Sequence, residues 1–297
     1  MHTDLTGRTA IVTGAGGGIG RATAHALARL GAAVVVNDIG RRADGTATAE
    51  IVTDEIRNDG ARATANTDSV TEWSGAGNIV ATAQREFGSV DILVNNAGIA
   101  WSGVPWEIDS ETFDRVVATH VQGSFHCSRH AIAPMREQRW GRIVSLVSRA
   151  GLTGMPNTLP YAVGKGGVLG LTNALSRDLD GTGITVNAVN PASTSTPMVA
   201  AAMASLDEMG EEGRKRSASL RAQMQTPEHV AVMIASLCLP AAANITGQIF
   251  LVEHTRIGLF QPLTVTQDVD RNEPWTPEAL CEVLGKFELH GLDDAYS

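Results

Sequence analysis

Ser148 closes an apolar run, Tyr161 follows thirteen residues later, and Lys165 stands four residues beyond the tyrosine. Side chains at i and i+4 share a helix face, so the ammonium of Lys165 is expected beside the phenol of Tyr161. A free tyrosine, with a pKa of about 10, is a poor base at neutral pH. A neighbouring cation favours its phenolate. The three residues therefore offer proton transfer to and from an alcohol, with the Ser148 hydroxyl placed to hold the same oxygen. A Y-x-x-x-K spacing recurs on ordinary helices, so its weight depends on what positions it.

The positioning elements alternate. Arg8 to Thr13 reads as a short buried strand, Gly14-Ala15-Gly16-Gly17-Gly18-Ile19-Gly20 follows at once, and Arg21 to Leu30 carries helical periodicity. Further strands are predicted at Ala33 to Asn37, Arg62 to Asn66, Val90 to Val94, Arg142 to Val147, Ile184 to Val189 and Gly247 to Val252. Helices are predicted at Thr48 to Asn58, Thr71 to Phe87, Ser110 to Arg136, Tyr161 to Leu179 and Pro227 to Leu239, and Pro191 opens a long loop. Strands alternating with helices need crossover connections, which predicts an α/β fold with a doubly wound parallel sheet and helices on both faces. Residues 1–256 form that domain; residues 257–297 are a more polar extension with one short helix, Thr276 to Lys286.

The glycine run sits between a strand and a helix, where glycines allow a tight turn and a close approach of pyrophosphate to the backbone. Unpaired N–H groups at the start of the next helix then face the anion. A plain glycine turn is the rival reading, and the strand–turn–helix context favours the nucleotide. Gly14, Gly18, Ile19 and Gly20 are the expected contacts. Asp38, eighteen residues after Gly20 at the end of the second strand, can accept the hydroxyls of an adenosine ribose and would repel a 2′-phosphate. The expected cofactor is NAD. Arg41 and Arg42 are the counter-signal, as phosphate partners or as part of a solvated loop.

In order and spacing, T-G-x-x-x-G-x-G at Thr13 to Gly20, N-N-A-G at Asn95 to Gly98, Ser148, Tyr161, Lys165, Asn187 and Pro191 resemble the short-chain dehydrogenase/reductase family over about residues 5–253. The resemblance implies a Rossmann-type domain that reversibly oxidises a secondary alcohol, usually as a homotetramer or homodimer. It implies that Ser148 holds the substrate oxygen, Tyr161 is the acid/base, and Lys165 binds the nicotinamide ribose and lowers the Tyr161 pKa. Further cofactor contacts would come from Asp68, Ser69, Asn95, Ala97, Gly98, Pro191, Thr194 and Thr196. The family's V-N-x-x-G segment reads His120-Val121-Gln122-Gly123 here. His120 either supports a proton relay in place of the usual Asn or is a packed helix histidine. Ala192 replaces the usual glycine after Pro191, and His254-Thr255-Arg256 replaces D-G-G after the last strand. A narrower similarity, in Asn37 to Gly40, Asp68 to Val70, His120 with Gly123 to Phe125, and the Thr276-Pro277-Glu278 tail, is to the dehydrogenase module of peroxisomal-type multifunctional enzymes acting on (3R)-hydroxyacyl-CoA.

Composition narrows the partners. A formal charge of −9 over 297 residues argues against nucleic acid or an anionic membrane as partner, and no apolar run approaches the roughly 20 residues of a span. Met1-His2-Thr3-Asp4-Leu5 lacks the features of a secretory signal. Cys127, Cys238 and Cys281 are odd in number and far apart, which suggests reduced thiols in a cytoplasmic protein with no metal site. The Ala/Met-rich stretch Met198 to Met209, followed by Arg214-Lys215-Arg216 and Arg221, reads as an apolar pocket wall with a rim for coenzyme A phosphates, or as a solvated helix balancing Glu208, Glu211 and Glu212. A hydroxysteroid or other bulky alcohol is the alternative substrate. A nucleotide-binding regulator without catalysis, or a purely structural protein, is disfavoured by the intact Ser148, Tyr161 and Lys165.

Overall fold

Val34-Val35-Val36 and Ile143-Val144 are β-branched runs without a polar face, the pattern of strands covered on both sides. The computed structural model describes residues 4–208 and 210–288, and the chain divides into two compact units, residues 1–259 and 260–297. The first contains β1 (Thr9–Thr13), α1 (Gly18–Arg29), β2 (Ala33–Asn37), α2 (Thr48–Asn58), β3 (Ala63–Asn66), α3 (Trp73–Phe87) and β4 (Ile92–Asn95). Next come α4 (Ser110–Val117), α5 (Gly123–Glu137), β5 (Gly141–Leu146), α6 (Arg149–Thr153), α7 (Leu159–Asp178) and β6 (Ile184–Pro191). It closes with α8 (Pro197–Glu208), α9 (Glu211–Ala222), α10 (Pro227–Cys238), β7 (Ile249–Glu253) and β8 (Arg256–Leu259). The second unit carries α11 (Pro277–Leu284), capped by the Thr276 hydroxyl accepting from the Ala279 N–H at 3.3 Å.

The eight strands run in the order β3-β2-β1-β4-β5-β6-β7-β8, parallel except for β8, which pairs antiparallel with β7. This is a Rossmann-type doubly wound sheet. Its strand side chains alternate between faces. Ala10, Val12, Val34 and Val36 meet Leu27 of α1 and Ile234 of α10, while Ile11 and Val35 meet Ile79 of α3 and Ala131 of α5. Each buried aliphatic side chain of this kind contributes about 1.5–3 kcal/mol. The chain reverses direction across the sheet between β1 and β4, which opens a crevice at their carboxyl ends where a ligand can enter.

Three local features depart from the sequence reading. The helix expected from Ser110 to Arg136 is interrupted by a π-helical turn, Ala118–Gln122, centred on His120. The loop expected after Pro191 holds α8 and α9, since Ala, Met and Leu are strong helix formers, and Gly210, at φ +92°, stands at the start of α9. Residues 256–259, of which the sequence reading placed 257–259 in the extension, are the sheet's eighth strand. Among the described residues no helix is long and apolar enough to cross a membrane.

Candidate active site

Gly14 and Gly18 have φ of +64° and +52°, left-handed values that disfavour other residues. A Cβ on Gly20 would lie 2.3 Å from the Gly14 carbonyl oxygen, so the start of α1 sits directly on the end of β1. Asn96 locks this turn by donating from Nδ2 to the carbonyls of Thr13 and Gly14, both at 2.9 Å. The Thr13 hydroxyl accepts from the N–H groups of Asn96 and Ala97, each at 3.1 Å. No side chain caps α1 and no acidic residue stands in its first turn, so the positive end of the helix is left for an anion.

Asp38 faces the same turn. Its Oδ2 accepts from the Gly16 N–H at 2.8 Å, and its Oδ1 from the Gly40 N–H at 2.7 Å and the Thr48 hydroxyl at 3.2 Å. These bonds orient a carboxylate that retains acceptor capacity. Thr48 also donates to the Gly40 carbonyl at 3.0 Å, so the loop, α2 and Asp38 form one unit.

Ser148 ends the β5 segment and caps α6, its Oγ accepting from the Ala150 N–H at 3.3 Å. It also hydrogen-bonds Tyr161. Burial pushes the Tyr161 phenol above its ordinary pKa, and the Ser148 bond pulls it partly back. One turn further along α7, Lys165 is buried, with Nζ donating to the Leu146 carbonyl at 2.7 Å and lying 5.8 Å from the Tyr161 ring centroid. Burial lowers its pKa to about 8. Lys165 is thus held by β5 rather than resting against the phenol, and the expected lowering of the Tyr161 pKa gives way to a rise. Desolvation sets that direction, opposed by the Ser148 bond.

His120 projects from the π-turn, 1% exposed, with its ring 5.3 Å from that of Tyr161 in an edge-on arrangement. Nε2 donates to the Ile99 carbonyl at 2.8 Å, which leaves Nδ1 a buried acceptor without a partner. Burial and the Lys165 charge push its pKa to about 3, against the opposing bond to Ile99. The imidazole is neutral at physiological pH. A Cβ on Gly98 would sit 2.3 Å from His120 Cε1, and one on Gly164 would sit 3.1 Å from His120 Cβ, so two glycines make room for this ring.

Tyr161, Lys165, His120, Asp38 and the glycine turn border one cavity of about 380 Å³, to which Ser148 is joined through its bond to Tyr161. Of the residues singled out in the sequence, Gly14, Gly18, Ile19, Asp38, Gly98, His120, Tyr161, Lys165, Pro191 and Thr196 line it. The others are outside its lining. Asn95 is buried in the sheet, its Nδ2 donating to the hydroxyls of Ser128 (3.0 Å) and Ser145 (3.4 Å). Thr194 donates to the Ala192 carbonyl at 2.7 Å. Asp68 accepts from Asn66 Nδ2 at 2.8 Å and lines a separate small polar pocket, and Ser69 pairs with Thr71 at 2.8 Å. Gly20 and Ala97 shape the turn. Gly40, in the Asn37 to Gly40 segment, also lines the cavity, and Thr48 lines it without any signal in the sequence, because only the fold brings Thr48 to Asp38. Cys127 and Cys238 are buried and Cys281 exposed; burial pushes the first two thiols up to about 12.

A glycine turn at the reversal point of a parallel sheet, facing Tyr161 and Lys165 across one cavity with Ser148 bonded to the tyrosine, defines an oxidoreductase of the dinucleotide-binding class. The chain belongs to the short-chain dehydrogenase/reductase family, whose "short chain dehydrogenase" model matches residues 8–207. It is similar to the hydroxyacyl-CoA dehydrogenase ChsB1 of Mycobacterium tuberculosis, at 34% identity over 96% of this chain and 90% of that protein. The mouse peroxisomal multifunctional enzyme type 2 is 36% identical over 92% of this chain and 36% of its own length. The crystal structure of a short chain dehydrogenase from Mycobacterium avium superposes with a TM-score of 0.81 at 34% identity, covering 95% of this chain and 94% of that one. The family typically uses a nicotinamide cofactor.

Proposed function

We propose that the protein is an NAD-dependent dehydrogenase that interconverts a secondary alcohol and a ketone, with a (3R)-hydroxyacyl thioester as substrate. The observation that carries this reading is the convergence of Lys165 and of Tyr161, itself bonded to Ser148, on the cavity that also contains the glycine turn and Asp38. The residues present suit a dinucleotide. The uncapped start of α1 suits a pyrophosphate, Asp38 suits a ribose diol, and a Cβ on Gly16 would fall 2.8 Å from Asp38 Cγ and fill the approach. Gly14, Gly18, Asp38, Lys165 and Thr196 would hold the cofactor, which when bound exchanges hydride with the carbinol carbon. The chain supplies the proton chemistry. Ser148 orients the substrate oxygen, Tyr161 takes or returns its proton, and Lys165 holds positive charge near the phenol.

The two named relatives and the cavity wall at Met198 support the acyl substrate, since a flexible thioether suits an extended apolar group. The basic cluster supports it less than the sequence suggested. Lys215 pairs with Glu211 at 2.8 Å and Arg221 with Asp207 at 2.7 Å, so two of its cations are engaged within α8 and α9. The test is steady-state kinetics with NAD and NADP on (3R)- and (3S)-hydroxyacyl-CoA, beside matched alcohols lacking CoA. Asp38 should favour NAD by about 1–3 kcal/mol, the size of an uncompensated charge contact. Equal use of NADP would overturn the cofactor reading, and indifference to the thioester would overturn the substrate.

We also propose a homotetramer or homodimer. The apolar residues Val168 (1% exposed), Ile132 and Leu175 of the two long helices pack on the core and are used within the subunit. Phe125, Leu159 and Val163, on α5 and α7, are exposed instead (45%, 44% and 42%) and support association by a second copy. Light scattering should give a multiple of 31.2 kDa; the monomer mass at micromolar concentration would refute it. The free thiols fit a cytoplasmic setting.

A further inference from the structure

Gln225 belongs to no helix or strand, yet its side chain is 1% exposed and fully bonded. Nε2 donates to the Val252 carbonyl at 2.9 Å and the Thr194 hydroxyl at 3.2 Å, and Oε1 accepts from the His254 N–H at 2.7 Å. Its backbone is equally committed. Its N–H donates to the Ser193 carbonyl, and its carbonyl accepts from the Ser195 N–H, both at 2.9 Å. The chain thus leaves for α8 at Ser195 and returns from α9 at Gln225, and the two points form one parallel bridge, Thr194 with Gln225.

Whatever fixes that bridge fixes the cavity wall. Thr196 and Pro197 lie immediately beyond it and against the glycine turn. A Cβ on Gly18 would meet Thr196 Cγ2 at 3.0 Å, and one on Gly17 would meet Pro197 Cγ at 3.4 Å. We propose that Gln225 is a positioning residue for dinucleotide binding, a pin that sets the gap between the Thr196–Met198 wall and the glycine turn. The same amide also holds the turn after β7, where His254 (φ +52°) stands in the His254-Thr255-Arg256 segment. The pin replaces a local glycine turn with a side-chain knot that joins β6, β7 and α10.

Three features follow from the amide's chemistry. Gln225→Leu keeps the bulk and loses every side-chain bond. Gln225→Glu keeps the acceptor for His254, but its second oxygen faces the Val252 carbonyl, which tolerates a protonated carboxyl and repels an ionised one. Thr194→Val removes only one of the pin's partners. The inference rests on the dinucleotide reading above, and two readouts separate their failures. The first is fluorescence titration with NADH and NADPH between pH 5 and 8. The second is hydrogen exchange of residues 196–222 in the free protein. Gln225→Leu should raise the Kd of the preferred dinucleotide about tenfold and speed exchange across α8 and α9, with a smaller change in Thr194→Val. Gln225→Glu should match wild type near pH 5 and resemble Gln225→Leu at pH 8, a pH rescue that general destabilisation does not produce. If wild type binds neither dinucleotide, the functional reading fails while exchange still decides the pin. Wild-type exchange in α8 and α9, or a Gln225→Glu affinity that is flat with pH, would overturn the inference.

Discussion

Tyr161→Phe should lower turnover by about 10²–10⁴-fold, the usual contribution of a positioned acid/base, while dinucleotide affinity stays within about twofold. The ring still fills its place, and only the hydroxyl bonded to Ser148 is lost. The direction of the pH dependence follows from the site. Oxidation of an alcohol needs the phenolate, and burial raises the Tyr161 pKa, so the phenolate is the minor form at neutral pH. Oxidation should therefore accelerate with rising pH, while ketone reduction, whose phenol is already the major form, stays level and declines only in strongly alkaline solution. His120 adds no step between pH 5 and 8, because at a pKa of about 3 it stays neutral throughout. Rate profiles in both directions check this. A Tyr161→Phe enzyme with wild-type turnover would remove Tyr161 from the chemistry.

Lys165→Met should separate stability from function. The native pKa of about 8 lies below the ordinary 10.5, so the folded state carries a cost for its buried ammonium at any pH below 8. At about 1.4 kcal/mol per pH unit this cost is roughly 3 kcal/mol. It fades between pH 8 and 10.5, where the folded protein releases the proton that the unfolded chain still binds. Methionine removes the charge and keeps most of the volume, but it also loses the charge-assisted bond to the Leu146 carbonyl. The net gain at pH 7 should be about 1 kcal/mol, shrinking as pH rises. Turnover should fall at least about 100-fold, as expected on losing a preorganised charge, and cofactor binding should weaken with it. Denaturation midpoints at pH 7 and 10 test the first claim. A variant less stable than wild type at pH 7 would show that the hydrogen bond matters more than the desolvated charge.

Much of this architecture is written in local patterns. The glycine turn, the valine-rich strands and the Tyr161–Lys165 spacing each depend on residues within a few positions of one another, and the fold places them as their patterns imply. What the sequence did not reveal depends on distant partners. Thr48 matters because it meets Asp38, and Gln225 matters because it reaches Val252 and His254. The π-turn at His120 answers to space left by Gly98 and Gly164, which helical periodicity does not report. Lys165 looked like a partner for Tyr161 because helix spacing gives neighbours but not competitors, and the Leu146 carbonyl is a competitor contributed by β5. The α8 and α9 stretch, read as a loop with a solvated helix as one alternative, is ambiguous for a different reason. Their apolar residues follow no single face, so propensity rather than pattern makes them helical.

The fit of His120 against Gly98 also limits how this site can change over time. With a Cβ on Gly98 only 2.3 Å from the imidazole, the effect of replacing the glycine depends on which residue stands at 120. A shorter side chain there lifts the clash, and an imidazole enforces it. The two positions do not vary independently. A lineage that enlarges residue 98 must first shrink residue 120, and the histidine, once acquired, holds the glycine in place.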